Sequence, residues 1–157
     1  MKKQSKLAIV VLFWNDSEKT LKCLNSLFQQ KKQEFKIVLV DNNSDQKYSK
    51  KIFNWLNKKK IKYTKINKNS SLKQSNNNKK LFYIKNKNNY GCGLGHNPRY
   101  KFCLKNNYDY IARIDNDMVL PKNLIFKLVQ RLEKNKFIAG ISPKVMFADN
   151  PKVIWFG

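Results

Sequence analysis

Asp115 and Asp117 flank a single asparagine directly after the apolar run Tyr110 to Ile114. Carboxylate oxygens are hard ligands, and two of them at a strand end can turn towards one Mg2+ or Mn2+ that completes its shell with water and diphosphate oxygens. Such an ion neutralises charge that builds on a departing diphosphate. The same residues also suit a solvated turn, because Asp and Asn bond their own backbone readily. Asp41 follows the run Phe35 to Val40 and heads Asn42-Asn43-Ser44-Asp45. It reads as an acceptor for a nucleobase N–H or a ribose hydroxyl, or as another Asx turn. In Asn89-x-Gly91-x-Gly93-x-Gly95-x-Asn97 the missing side chains let a backbone approach a nucleotide, or simply allow a glycine-rich turn. The spacing is neither GxGxxG nor a phosphate loop ending in GK[ST].

His96 is the only histidine, and no Ser or Cys elbow accompanies it as a triad requires. It reads as a loop residue that orients the glycine segment or touches ligand. Arg113 shares strand parity with Asp115 and is expected to be a buried ion-pair partner of the acidic cluster. Trp14, Trp55 and Trp155 are expected to pack in the core or at its edge rather than to stack on bases.

These residues need strands and helices to hold them. Leu7 to Phe13 is an almost continuous apolar run, as in a strand covered on both faces, which points to a parallel sheet. Asn15 with Glu18 three residues later reads as a capping box before Leu21, Leu24, Leu27 and Phe28 at helical spacing. Phe35 to Val40 is a second strand, and Ile52, Trp55 and Leu56 give a second helix its apolar side. Ile61 to Ile66 and Leu81 to Ile84 read as further strands, and a helix follows the glycine segment through Tyr100, Cys103 and Leu104. After the strand Tyr110 to Ile114, Pro121 suits the first turn of a helix carrying Leu124, Leu128, Val129 and Leu132, and Phe137 to Ile141 reads as a last strand. Residues 67–80 are rich in Asn, Lys and Ser without periodicity, so they read as a low-complexity surface loop and the best candidate for disorder. The alternation predicts an α/β fold, an open and mostly parallel sheet with helices on both faces.

The 157 residues suit one domain, and 41% hydrophobic content is enough for a core. Only ten residues are acidic, and four of them, Asp41, Asp45, Asp115 and Asp117, follow the carboxyl ends of expected strands. In open α/β sheets that edge binds ligands. The formal net charge of +23 invites a nucleic-acid or anionic-membrane reading. Yet only three of the 33 basic residues are arginine, and the lysines travel with asparagines, as codons rich in A would produce on any exposed surface. There is no RNP-like aromatic motif, C2H2 pattern or Arg-rich stripe, so nucleic acid is not an expected partner. Cys23, Cys92 and Cys103 form no CxxC pair and are odd in number, which fits reduced thiols in a cytoplasm. The apolar start ends at Asn15-Asp16 without a small-residue cleavage site, and no stretch reaches the roughly 20 apolar residues that span a bilayer.

Taken in order, four motifs resemble the amino-terminal, donor-binding half of family-two glycosyltransferases with the GT-A (Rossmann-like) fold. They are the apolar strand ending in Asn15, then Val40-Asp41-Asn42-Asn43-Ser44, then Asn89-Tyr90-Gly91 through Gly95-His96-Asn97, then Ile114-Asp115-Asn116-Asp117 with Pro121 shortly after. The likeness runs from Leu7 to Gly157 and is closest to the rhamnosyltransferase-like branch of surface-polysaccharide assembly. It implies that Asp41 contacts the donor nucleobase, that Asp115 and Asp117 form a DxD motif holding Mg2+ or Mn2+ and the nucleotide diphosphate, and that Asn89, Gly91, Gly95 and Asn97 shape the donor pocket. Asn15, Asn43 and His96 belong to the same implied nucleotide-sugar site.

The implied reaction is inverting transfer of a sugar from a UDP- or dTDP-linked donor to a saccharide or glycolipid acceptor, with a carboxylate general base. The implied location is the cytoplasm, at the inner face of the membrane. The base and most acceptor contacts of the family belong to a region after the segment Val145 to Gly157, and Asp149 matches no base motif. The expectation is therefore a single domain over 1–157 that is truncated, a donor-binding part, with a catalytically inactive fragment or a basic nucleic-acid-binding domain as the alternatives. Pro98-Arg99 replaces the usual small residue after the Asn.

Overall fold

The computed structural model describes residues 5–66 and 79–155, so the expected loop over 67–80 lies outside them except for Lys79 and Lys80. The chain divides into two compact units, Met1–Gln29 with Glu34–Leu120, and Gln30–Gln33 with Pro121–Gly157.

In the first unit β1 (Leu7–Phe13) lies inside a parallel sheet and is buried at every position but the half-buried Leu12. α1 (Ser17–Phe28) leads to β2 (Lys36–Asp41), and α2 (Gln46–Lys58) to β3 (Tyr63–Ile66). Then follow β4 (Leu81–Lys85), the short α3 (Gly91–Gly95), α4 (Asn97–Lys105) and β5 (Tyr110–Asp115). The strand order is β3-β4-β2-β1-β5, every pair parallel.

Strand parity sorts the core into two faces. Ala8, Val10, Val38, Val40, Phe82 and Ile84 pack with Phe102 and Cys103 of α4. Leu39 and Tyr83 are register partners on the opposite face, where Tyr83 meets Phe53 of α2 edge-on with ring centroids 4.8 Å apart. Helices thus cover both faces, as expected. The loop leaving β2 goes to the α2 face and the loop leaving the adjacent β4 goes to the α4 face, so the switch point of the sheet lies between these two carboxyl ends.

Three local expectations need correction. The cap of α1 is Asp16, whose Oδ1 accepts from Lys19 N at 3.0 Å, whereas Asn15 takes a left-handed φ of 49° and uses its side chain elsewhere. β5 ends the sheet order and alternates half-buried with exposed positions, which leaves the Arg113 pair exposed rather than buried. Trp14 is 54% exposed, while Trp55 packs near Phe28 with centroids 6.1 Å apart.

In the second unit α5 (Leu124–Lys134) begins three residues after Pro121, because Asn123 adopts a left-handed φ of 66° and Leu124 N closes a turn onto the Pro121 carbonyl. The expected strand over Phe137 to Ile141 does not form. Asn135 captures Phe137 N with its side chain and Ile138 N with its carbonyl, a local turn that competes with a ladder. The strands here are the short antiparallel β6 (Val145–Met146) and β7 (Ile154–Trp155). Among the described residues no helix is long and apolar enough to cross a membrane.

Burial separates the two leucines that helical spacing treated alike. Leu24→Ala, at a fully buried site, is expected to lower unfolding free energy by about 2–5 kcal/mol. Leu104→Ala, at a site 70% exposed, is expected to change it by no more than about 0.5 kcal/mol. Urea unfolding of both variants measures the contrast.

Candidate functional site

The carboxyl ends of β1, β2, β4 and β5 lie at one edge, and side-chain amides tie the first three together. Asn42, one residue past β2, is buried and fully used. Its Nδ2 donates to Asn89 Oδ1 at 2.6 Å and to the Gly91 carbonyl at 3.1 Å. Its Oδ1 accepts from Asn86 Nδ2 at 2.8 Å and from Tyr90 N at 3.2 Å. These four bonds fill the amide's two donor and two acceptor sites and fix its orientation. They bridge the switch point, so one residue positions the stretch from Asn86 to Gly91 after β4.

Glycine is required at two places in that segment. Gly91 has φ +66°, and a Cβ at Gly95 would lie 3.0 Å from Asn42 Oδ1. Gly95 also accepts from Asn86 Nδ2 at 3.3 Å through its carbonyl, while Asn89 Oδ1 accepts from Gly91 N at 2.9 Å. Asn97, the first residue of α4, is exposed.

On the β1 side, Asn15 N donates to Ser44 Oγ at 3.0 Å and Asn15 Oδ1 accepts from Asp45 N at 2.8 Å. Asn43 is exposed, with a left-handed φ of 66°. Asp41 is fully buried: Oδ1 accepts from Ser44 N at 2.6 Å, Oδ2 accepts from the Tyr83 hydroxyl, and Lys85 Nζ stands 4.0 Å away. Both carboxylate oxygens are engaged inside the fold. Burial, and then the bond to Asp41, push the Tyr83 phenol well above its ordinary value.

Asp115 and Asp117 both lie exposed at the end of β5. Their turn is closed by Met118 N on the Asp115 carbonyl at 3.2 Å and pinned to α1 by Asn116 Nδ2 on Thr20 Oγ1 at 3.1 Å. Arg113 Nη2 sits 3.3 Å from Asp115 Oδ1, an ion pair half open to solvent on both sides and worth little in isolation. No bond or ion pair engages Asp117 among the described residues. No group of three or more His, Cys, Asp and Glu side chains gathers there either. Two outward carboxylates fit a hard divalent ion that takes the rest of its shell from water and phosphate oxygens.

Beside this pair Cys92 Sγ lies 3.3 Å from Arg113 Nη2 and 3.6 Å from His96 Nε2. His96 is buried and stacks on Tyr100 with ring centroids 5.9 Å apart. Sequence reading missed Asn42, Asn86, Cys92 and Arg99 as site-building residues. Buried asparagines look like turn residues until their partners are known, and the departure at Arg99 was the one available signal.

A family model described as Glycosyl transferase family 2 matches residues 8–153. No curated protein matches the chain. Among solved structures the chain is similar to the mannosyltransferase PcManGT from Pyrobaculum calidifontis in complex with GDP-Man and Mn2+. That likeness has 13% identity and a TM-score of 0.64, and covers 83% of this chain and 33% of that one. It is similar also to S. aureus TarS 1–349 in complex with UDP-GlcNAc, at 18% identity and a TM-score of 0.58 over 92% of this chain and 41% of that one. The chain therefore spans about a third to two fifths of these neighbours. At such identities the likeness establishes the GT-A, Rossmann-like fold.

Asn42→Ala strands the Asn86 and Tyr90 donors and is expected to cost about 1–3 kcal/mol. Hydrogen exchange should then accelerate at Tyr90 and Gly91 before the strands. The thiols offer a second check. Burial raises both Cys23 and Cys103 to about 12, so the thiolate share at pH 8 is only about one in ten thousand. Iodoacetamide at pH 8 is expected to label exposed Cys92 alone in the folded protein and all three thiols in urea, read by mass spectrometry.

Proposed function

The chain belongs to glycosyl transferase family 2, and from that premise we propose that it forms the nucleotide-sugar-binding part of a glycosyltransferase. The observation that carries the reading is the Asn42 bridge, which holds the glycine segment from Asn89 to Asn97 at the same sheet edge as the exposed Asp115 and Asp117. Backbone without side chains next to outward carboxylates suits a nucleoside diphosphate with a divalent ion. The neighbouring folds captured with GDP-Man or UDP-GlcNAc support a nucleotide-linked sugar as donor.

Each residue has a part. Asp41 and Asn15 set the shape of the base pocket through the turn at Ser44 and Asp45, and exposed Asn43 and Asn97 are the groups free to meet the donor. Asn89, Gly91, Gly95 and His96 form its wall. Asp115 and Asp117 would hold Mg2+ or Mn2+, which when bound supplies positive charge to the diphosphate. In the transfer an acceptor hydroxyl oxygen bonds to the anomeric carbon as the bond to the diphosphate oxygen breaks. The electron pair leaves with the nucleoside diphosphate, and a carboxylate base takes the hydroxyl proton. Attack from the side opposite the leaving group gives inversion.

The acceptor class is a saccharide or glycolipid, and the branch is that of rhamnosyltransferase-like enzymes of surface-polysaccharide assembly with a UDP- or dTDP-linked donor. The net charge of +23 supports work at the cytoplasmic face of an anionic membrane.

Calorimetric titration with UDP, dTDP and GDP, each with and without Mn2+, tests the reading. One of these is expected to bind at least ten times more tightly with the ion. Asp115→Ala and Asp117→Ala should each remove that gain, with little change in melting temperature because both side chains are exposed. Absence of nucleotide binding, or a metal gain that survives both substitutions, contradicts it.

A further inference from the structure

Arg99 is the largest fully buried side chain of the described residues, and its Nε, Nη1 and Nη2 all lack a hydrogen-bond partner. A guanidinium carries five donors and stays charged, so leaving it dry without a hydrogen bond, with only the Tyr100 ring 5.7 Å from its carbon, opposes folding. Its place indicates what completes it. Arg99 stands in the first turn of α4 on the side that carries Phe102 and Cys103 to the sheet. Helical side chains lean towards the helix N-terminus, and this end of α4 follows β4 at the carboxyl edge of the sheet. Arg113 and Asp115 pair in register with Val10 and with Leu12, members of the same packed face.

The electrostatic neighbours agree. Burial pulls Arg99 down to about 10, with Arg113 acting in the same direction and Tyr100, Cys92 and Asp115 opposing it. Arg113 already holds the Asp115 carboxylate at 3.3 Å, so the acid that acts on Arg99 is shared between two guanidinium groups. The imbalance calls for an anion. A second orphan lies one turn away, the buried Nδ1 of His96.

We propose that Arg99 is a binding residue for a diphosphate group, which it grips together with Arg113 behind Asp115. The identity of that anion as the donor's diphosphate rests on the donor-site reading. Arg99 then supplies a recognition of the diphosphate that needs no metal. Reaching a covered guanidinium requires a neighbour to move, and it must be one that the Asn42 and Asn86 bonds to Gly91 and Gly95 leave free. α3 has five residues, three of them glycine, and Cys92 is tied only by thiol contacts of 3.3 and 3.6 Å.

The test compares wild type with Arg99→Met, which keeps much of the volume and removes the charge, and Arg99→Lys, which keeps the charge and removes the planar fork. Inorganic pyrophosphate and UDP are titrated by calorimetry in EDTA, and melting temperatures are recorded without ligand. Wild type is expected to bind pyrophosphate. Arg99→Met should lose at least tenfold in affinity for pyrophosphate and for UDP while melting higher than wild type, because the unpaired charge is gone. Arg99→Lys should fold and fall between the two.

Equal affinities in all three proteins overturn the proposal and leave the donor reading standing if UDP binds. Loss of stability in Arg99→Met with unchanged binding assigns Arg99 to packing and also overturns it. Pyrophosphate binding that depends on Arg99, with UDP bound no more tightly than pyrophosphate, supports the receptor and counts against the nucleotide.

Discussion

The buried amide of Asn42 is the constraint on which the ligand edge depends. Two loops leave the adjacent strands β2 and β4 for opposite faces of the sheet, and nothing in a parallel ladder holds such loops to one another. Asn42 does so with four hydrogen bonds, the closest 2.6 Å, from a side chain only 3% exposed. Each bond adds only about 1 kcal/mol net, but a buried amide that loses its partners is penalised by about 1–3 kcal/mol. The cost of leaving it unmade is what makes the arrangement single-valued. Gly95 follows from the same constraint, since the amide occupies the space a Cβ would need. Asp41 performs the neighbouring task by satisfying Ser44 N and the Tyr83 hydroxyl, so the turn carrying Asn43 to the surface is fixed from below.

Much of the fold was legible because burial on both faces writes a distinctive sequence. Leu7 to Phe13 has no polar position and Phe35 to Val40 only Lys36, and the strands found there match the reading within a residue or two. Local backbone choices were harder to read. Asn15 and Asp16 are both good caps, and only the bond between Asn15 and Asp45 across 30 residues decides between them. Phe137 to Ile141 is apolar enough for a strand, yet Asn135 closes a turn on it and Phe137 is left 98% exposed. Parity correctly paired Arg113 with Asp115, but their exposure follows from β5 ending the sheet order, which no local pattern records. The site was legible as a set of motifs and opaque as a mechanism of assembly, because Asn42 and Asn86 look like ordinary turn residues and Arg99 like one more surface cation.

The charge of the chain divides into two parts with different physics. Most of the +23 comes from lysines on an exposed surface, where salt screens their field within about 10 Å. That field raises the local concentration of anions without choosing among them. Two of the three arginines lie instead at the carboxyl edge, one half exposed on Asp115 and one buried beside it. Arginine's planar fork suits a phosphate where a lysine supplies only a point charge. The edge thus combines outward carboxylates suited to a hard cation with one exposed and one buried guanidinium suited to an anion, the two halves of a cation–diphosphate ligand.

The central claim is that one nucleoside diphosphate and one divalent ion occupy the edge that Asn42 assembles. Paramagnetic broadening by Mn2+ in 15N–1H spectra of the protein with UDP present tests it most directly, because the effect falls steeply with distance from the ion. The account predicts selective loss of the amide signals of Asn116 to Met118, with shifts from Asn89 to Asn97, and unchanged signals at the far end of α2 near Lys58. Broadening spread over the surface without focus on Asp115 and Asp117, or shifts that leave the glycine segment untouched, would contradict it.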